Sequence, residues 1–231
     1  MKKRMIYPLC ACSFLLLLTA CEASPTTEGR AMPSLENGAP KTDVATINQT
    51  SPEQVLAFTQ QSWPEFAARL RPAIIGRFGF KDKDDLLQSA IGTPWPMLAL
   101  ADAGPVAVTD QHIWRVPLIK NGEMRLLITV EEQNGELKIV SLGATELARE
   151  LQQTLPRAEK VFSEKSFYIL RCYSLNEDYI GAMGPALPTP NERVIPLRTA
   201  ANTLHKNALP QTIAISSLKE KAQALPAEAA P

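Results

Sequence analysis

Two Asn-Gly dipeptides, Asn121-Gly122 and Asn134-Gly135, separate three apolar runs and constrain this chain more than any other feature. Asn-Gly is favoured where both central residues of a two-residue hairpin take positive φ, so the segment from Gln111 to Gly143 is expected to form a three-stranded meander. Two-residue turns also fix a register. Lys120 faces Glu123, Ile119 faces Met124, Pro117 faces Leu126, Glu131 faces Lys138 and Val130 faces Ile139, so opposite charges meet and apolar residues meet. In that register one face carries Ile113, Pro117, Ile119, Met124, Leu126, Ile128, Val130 and Ile139, and helices are expected to cover it. Pro117 has no N–H to donate, so the strand from Ile113 to Ile119 is expected to be an edge, or to bulge there. As an edge it would offer a docking surface for a partner strand.

Helical signals surround the meander. Ser51-Pro52-Glu53-Gln54 reads as a capping box with proline at the first helical position, and Val55, Thr59, Trp63, Phe66 and Leu70 follow at helical spacing. Pro64, inside a second box formed by Ser62-Trp63-Pro64-Glu65, predicts a kink or two short helices in series. A short helix is expected from Asp82 to Ala90, stopped at Gly92, and another from Thr145 to Leu155, stopped by Pro156. Further strands are expected at Lys160–Phe162, Phe167–Tyr173, Tyr179–Met183 and Val194–Leu197. Strands in runs, with helices before and between them, predict an α+β domain: an antiparallel sheet packed against N-terminal and inserted helices.

The two ends have a different character. Residues 1–20 open with Met-Lys-Lys-Arg, become apolar and finish in Phe14-Leu15-Leu16-Leu17-Leu18, too short a run for a permanent span of about 20 residues. There Leu18-Thr19-Ala20-Cys21 resembles the lipobox of bacterial lipoprotein precursors. The resemblance implies cleavage before Cys21, lipidation of that residue with acyl chains such as palmitate, and attachment to a membrane. Several acyl chains anchor far better than one, because each buried methylene adds about 0.8 kcal/mol. Cys10 and Cys12 are rival acceptors, but the main apolar run lies after both, and they read as apolar filler. An ordinary signal peptide or an uncleaved anchor is the alternative. Glu22, rather than Asp, follows Cys21, which in the lipoprotein pattern implies the outer membrane, facing the periplasm.

Residues 21–50 are rich in Ser, Thr, Pro, Gly, Ala and Asn, a composition that cannot offset the entropy of ordering. They are expected to be a tether with a root-mean-square span of roughly 30 Å. Residues 51–206 are expected to form one domain, and 207–231 a disordered Ala/Pro-rich tail with a transient helix near Ser217 to Leu225. Without Lys2, Lys3 and Arg4 the chain has 21 basic against 24 acidic residues, a formal charge of −3 that argues against nucleic acid as a partner. The expected partners are the membrane, through the lipid on Cys21, and an envelope protein.

Candidate chemistry is sparse. Beyond Cys21 the remaining thiol is Cys172, which with His112 or His205 could make a thiol–imidazole pair, although its neighbours Tyr168-Ile169-Leu170 read as a buried strand. Asp82, Asp84 and Asp85 read as a helix start rather than a calcium loop, and two histidines with no cysteine cluster do not suggest zinc; no metal or cofactor is expected. Arg69, Arg71 and Arg77, near Gly76 and Gly79, suggest a phosphate or sugar-acid site, or simply a loop between two helices. Trp95, Trp114, Tyr168, Tyr173 and Tyr179 could line a glycan or peptide groove, or fill the core. Thr93-Pro94-Trp95-Pro96, Trp114-Arg115-Val116-Pro117-Leu118 and Val194-Ile195-Pro196-Leu197 together resemble uncharacterised exported bacterial proteins, a resemblance that implies no activity. The reading is of a membrane-anchored cell-envelope lipoprotein, a non-enzymatic module that binds a protein or an envelope component. Its alternatives are a small-ligand or lipid carrier and a thiol hydrolase built on Cys172.

Overall fold

The computed structural model describes residues 50–101, 108–163, 166–197 and 212–224. The export-signal and tether readings, with Cys21, lie outside these residues. The fold is α+β. Among the described residues nine strands, β1 (Ala90–Ile91), β2 (Trp95–Leu100), β3 (Val108–Lys120), β4 (Glu123–Gln133), β5 (Glu136–Gly143), β6 (Phe167–Cys172), β7 (Glu177–Ala182), β8 (Arg193–Pro196) and β9 (Ile213–Ala214), form one sheet in the order β5-β4-β3-β2-β6-β7-β8-β9, with β1 also paired to β3. Every pairing is antiparallel except β2 with β6.

The first helix, α1 (Pro52–Ala68), begins at the expected capping box: Ser51 Oγ accepts from Gln54 N–H at 3.3 Å, and Ser51 N–H donates to Gln54 Oε1 at 2.7 Å. It does not divide at Pro64. Val55, Thr59, Trp63 and Ala67 are all buried and recur every fourth residue, so one stripe runs past the proline. Burial of that continuous stripe outweighs one missing helical hydrogen bond.

The glycine-containing segment expected as a loop is instead helix α2 (Pro72–Arg77), with proline at its start. Gly79, at φ +79°, closes it in a Schellman motif: Phe80 N–H donates to Ile75 O at 3.3 Å and Gly79 N–H to Gly76 O at 3.1 Å. The next helix, α3 (Lys83–Leu87), is shorter than expected. Ala90, expected as its last residue, instead joins Ile91 in β1 (Ala90–Ile91), opposite Ile119 and Leu118, where the β-branched Ile91 packs on the sheet.

Strand β2 (Trp95–Leu100) precedes the meander of β3 (Val108–Lys120), β4 (Glu123–Gln133) and β5 (Glu136–Gly143). Both Asn-Gly pairs have positive φ at both residues, as type I′ turns require. Near the turns the register is as expected: Lys120 with Glu123, Ile119 with Met124, Glu131 with Lys138 and Val130 with Ile139. A bulge between Leu118 and Ile119 then moves it by one, so Pro117 faces Leu127 rather than Leu126. The face assignment changes with it. Trp114, Val116 and Leu118 share a core with Leu126, Ile128, Val130 and Ile139, whereas Ile113 and Met124 belong to the opposite face.

Nor is β3 an edge. It is flanked by β4 on one side and by β1 and β2 on the other, and Pro117 falls in the gap between those two short strands. There Pro117 O accepts from Gly92 N–H at 2.8 Å, so Gly92 is a packing position against Pro117 rather than a helix stop. A partner strand cannot dock along β3. The outer strands of the sheet path are β5 and β9.

Helix α4 (Thr145–Phe162) continues through Pro156, and residues 160–162, expected as a strand, form its last turn. Ala148, Leu151, Leu155, Ala158 and Phe162 make one stripe into the core, while Pro156 is exposed, so the bond it removes is lost where water can replace it. Strands β6 (Phe167–Cys172), β7 (Glu177–Ala182) and β8 (Arg193–Pro196) fall close to their expected places. The tail, expected to be disordered with a transient helix near Ser217 to Leu225, instead packs on the sheet. Ile213–Ala214 adds β9 to β8, and α5 (Ile215–Gln223) buries Ile215 and Leu218, so the folded domain extends to Ala224.

Alternation along the strands divides the core into two faces. Leu126, Ile128 and Val130 meet α1–α3, while Leu127 meets α4. At the other half of the sheet, Tyr168 and Leu170 pack with Ile215 and Leu218 of α5, while Phe167 and Ile169 pack on the α4 side.

Candidate functional site

The sequence candidates disperse. Cys172 is fully buried with Leu98, Tyr179 and Val194, its Sγ 3.6 Å from Ser174 Oγ, whereas a reactive thiol needs an accessible electropositive setting. His112 is exposed, with φ +53° and its backbone N–H held by Asp110 Oδ1 at 2.8 Å; His205 lies outside the described residues. Asp82 caps α3, accepting from Asp85 N–H at 2.9 Å, and Asp85 accepts from Lys81 N–H at 2.8 Å while pairing with Lys120. No group of metal-binding side chains occurs among the described residues. Of the aromatics, Trp95, Trp114, Tyr168 and Tyr179 are buried in three separate parts of the core, and Tyr173 is exposed against Arg171. They line no common groove.

The arginine cluster is rearranged. Arg69 pairs with Glu65 on α1, and Arg71 precedes α2. Arg77 and Gly79, however, line a cleft of about 620 Å³ with Glu123, Arg125, Thr145, Arg149, Gln152 and Gln153. Its walls come from three elements. The Schellman end of α2 supplies Arg77, the start of β4 supplies Arg125, and the first turns of α4 supply Arg149 and the glutamines. Because α2 and α4 cover opposite faces of the sheet, they meet only around its rim, at the β3–β4 turn.

Gln152 fixes that turn to α4. Its Oε1 accepts from Met124 N–H at 2.9 Å, and its Nε2 donates to Gly122 O at 3.0 Å. This clasp sets Arg125 and Arg149 on adjoining walls. Arg125 pairs with Glu123 at 2.8 Å, and Arg149 with Glu146 at 2.8 Å. Arg77 has no ion-pair partner among the described residues. Three guanidinium groups and Glu123 give the lining a formal charge of +2, which Glu146, paired with Arg149, lowers to +1. At the same place Ala144, in the left-handed conformation, gives α4 no side-chain cap, so the positive end of an 18-residue helix adjoins the cleft at Thr145.

Such a lining suits holding an anion by planar N–H forks. Of its arginines, Arg77 stood out in the sequence; Arg125 and Arg149 did not, since they lie on separate elements and only the fold brings them together.

A second polar group crosses the α4 side of the sheet. Arg171 pairs with Asp178 at 2.8 Å, Arg115 donates to Thr129, and Ser141 shares that threonine hydroxyl at 2.8 Å. Burial pushes the Asp178 carboxyl above the usual carboxylate range despite Arg171 beside it, and burial likewise lowers Arg115. The pairs compensate one another inside the sheet face, which is a structural role. No family model matches the chain, and no curated protein or solved structure matches it either.

Proposed function

We propose that this protein is a lipid-anchored module of the bacterial cell envelope, held by acyl chains on Cys21 and binding an envelope component rather than catalysing a reaction. The observation that carries the reading is the coincidence of a basic start, an apolar run and Leu18-Thr19-Ala20-Cys21 at its end. The open, arginine-lined cleft supports binding, and the burial of Cys172 argues against a thiol hydrolase. A carrier of acyl chains would need an apolar cavity, whereas the lining of this cleft is mainly charged and polar. The outer-membrane, periplasm-facing position rests on Glu22.

The test is metabolic labelling with an alkyne-bearing palmitate, followed by membrane fractionation of the wild type, Cys21→Ser and Cys12→Ser. Label and membrane association are expected in the wild type and in Cys12→Ser, and are expected to be lost in Cys21→Ser. Label that survives in Cys21→Ser would overturn the anchor.

A further inference from the structure

We infer that the cleft between α2, the β3–β4 turn and α4 is a receptor for a phosphate monoester, borne by a sugar- or glycerol-sized group. The inference deepens the binding role proposed above and rests on it for its biological setting, but its argument is in the cleft alone.

The three guanidinium groups outnumber the two carboxylates paired with them, Glu123 and Glu146, and this excess positive charge favours an oxyanion; a phosphate monoester carries about −1.5 to −2 near neutral pH and offers three acceptor oxygens. Arg77, Arg125 and Arg149 approach from three elements, so their forks can meet such a group from different sides, a geometry that a planar carboxylate with two oxygens uses less fully. Two of the three hold carboxylates of their own elements, Glu123 and Glu146, at 2.8 Å, in exposed pairs that an entering phosphate would share or displace. Arg77 is the arginine with no such partner among the described residues. At about 620 Å³ the cleft is much larger than a bare phosphate and falls in the range of small-molecule sites. Phe78 and Met124 add an apolar surface to its wall, against which the carbon skeleton of the ligand can lie.

Calorimetric titration of the full lipidated protein in a phosphate-free maltoside detergent tests this, with inorganic phosphate as the first probe. Saturable binding is expected, weakened roughly tenfold or more by Arg77→Gln and by Arg149→Gln, and unchanged by Arg69→Gln, whose side chain lies outside the cleft. Glucose 6-phosphate and a water-soluble dihexanoyl phosphatidic acid then divide the sources: tighter binding of the first assigns a phosphorylated saccharide, and of the second a lipid headgroup. Equal competition by glucuronate would overturn the phosphate assignment. Absence of saturable binding, or an equal loss in Arg69→Gln, would overturn the site. Either failure leaves the palmitate labelling of Cys21 untouched, and loss of that labelling leaves the titration untouched, so the two readings fail separately.

Discussion

The ring of Tyr168 lies across the backbone of Gly181, its directly opposed partner on β7, in the space a side chain at 181 would occupy. A β-carbon there would stand 2.6 Å from ring Cε1 and closer still to Cζ and the hydroxyl. Tyr168 is itself fully buried beneath α5, so the ring has nowhere to retreat. Gly181→Ala is therefore expected to destabilise the domain by about 1–3 kcal/mol, the usual cost of overpacking. Urea denaturation measures it; a midpoint equal to that of the wild type would mean that the ring moves freely.

The same ring carries a hydroxyl with no hydrogen-bond partner among the described residues. Burial without a partner costs free energy, and desolvation pushes the phenol well above its ordinary range. Tyr168→Phe removes the hydroxyl and keeps the packing. It is expected to raise stability by about 1 kcal/mol, read from the shift in urea midpoint at constant slope. A variant less stable than the wild type would reveal that the hydroxyl is bonded after all.

Two aspartates are displaced in opposite directions, which gives their titrations opposite effects on stability. Asp178 is raised above 3.8, first by burial, with Arg171 and Arg115 partly offsetting it. Its contribution is fully present below 3.8 and is lost as pH rises through the raised folded value. Asp85 is lowered below 3.8, chiefly by its hydrogen bond from Lys120 and also by Lys81 N–H. Its contribution is present above 3.8 and is lost as pH falls through the lowered value. On acidification the Asp178 gain thus comes first and the Asp85 loss later. Carboxyl carbon NMR should show Asp178 titrating at higher pH than Asp85, and the reverse order would refute both assignments. Added salt should weaken the Asp85 effect more, since its pair with Lys120 is partly exposed whereas Asp178 is buried.

How far the chain could be read follows the range of the interactions involved. The Asn-Gly turns and the Ser51 capping box are local, and each was legible with its register or its hydrogen bonds. The bulge at Leu118 and Ile119 depends on how three strands share β3, and that neighbourhood is not local. Pro64 and Pro156 signal breaks, yet buried stripes on both sides of each hold the helices whole, which shows tertiary packing overriding a backbone preference. Ile213, Ile215 and Leu218 are few among Ala, Gln and Ser, so average composition concealed the strand and the docking on the sheet of a helix expected there only as transient. At the cleft, Arg77 could be found beside its glycines, but Arg149 is joined to Arg125 by the packing of α4 on Leu127 and by the Gln152 clasp, neither of which is local in sequence.

Gln152 offers a way to separate the architecture of the cleft from its charge. Its amide bonds Met124 N–H and Gly122 O, so it holds the β3–β4 turn against α4 without being charged. Gln152→Ala leaves two backbone groups at the turn to water and should cost about 1–3 kcal/mol of stability, at roughly 0.5–1.5 per hydrogen bond. Gln152→Glu retains an acceptor for Met124 N–H but cannot donate to Gly122 O when ionised, so it should fall between alanine and the wild type. If the clasp positions Arg125 relative to Arg149, phosphate binding should weaken in the alanine variant although every arginine remains. The decisive comparison is between urea midpoint and phosphate affinity in the wild type and Gln152→Ala, since Gln152→Glu, which adds a negative charge to the lining, is read by urea midpoint alone. Loss of both in the alanine variant supports positioning through the turn, whereas lost stability with unchanged affinity would show that the arginines find phosphate without it.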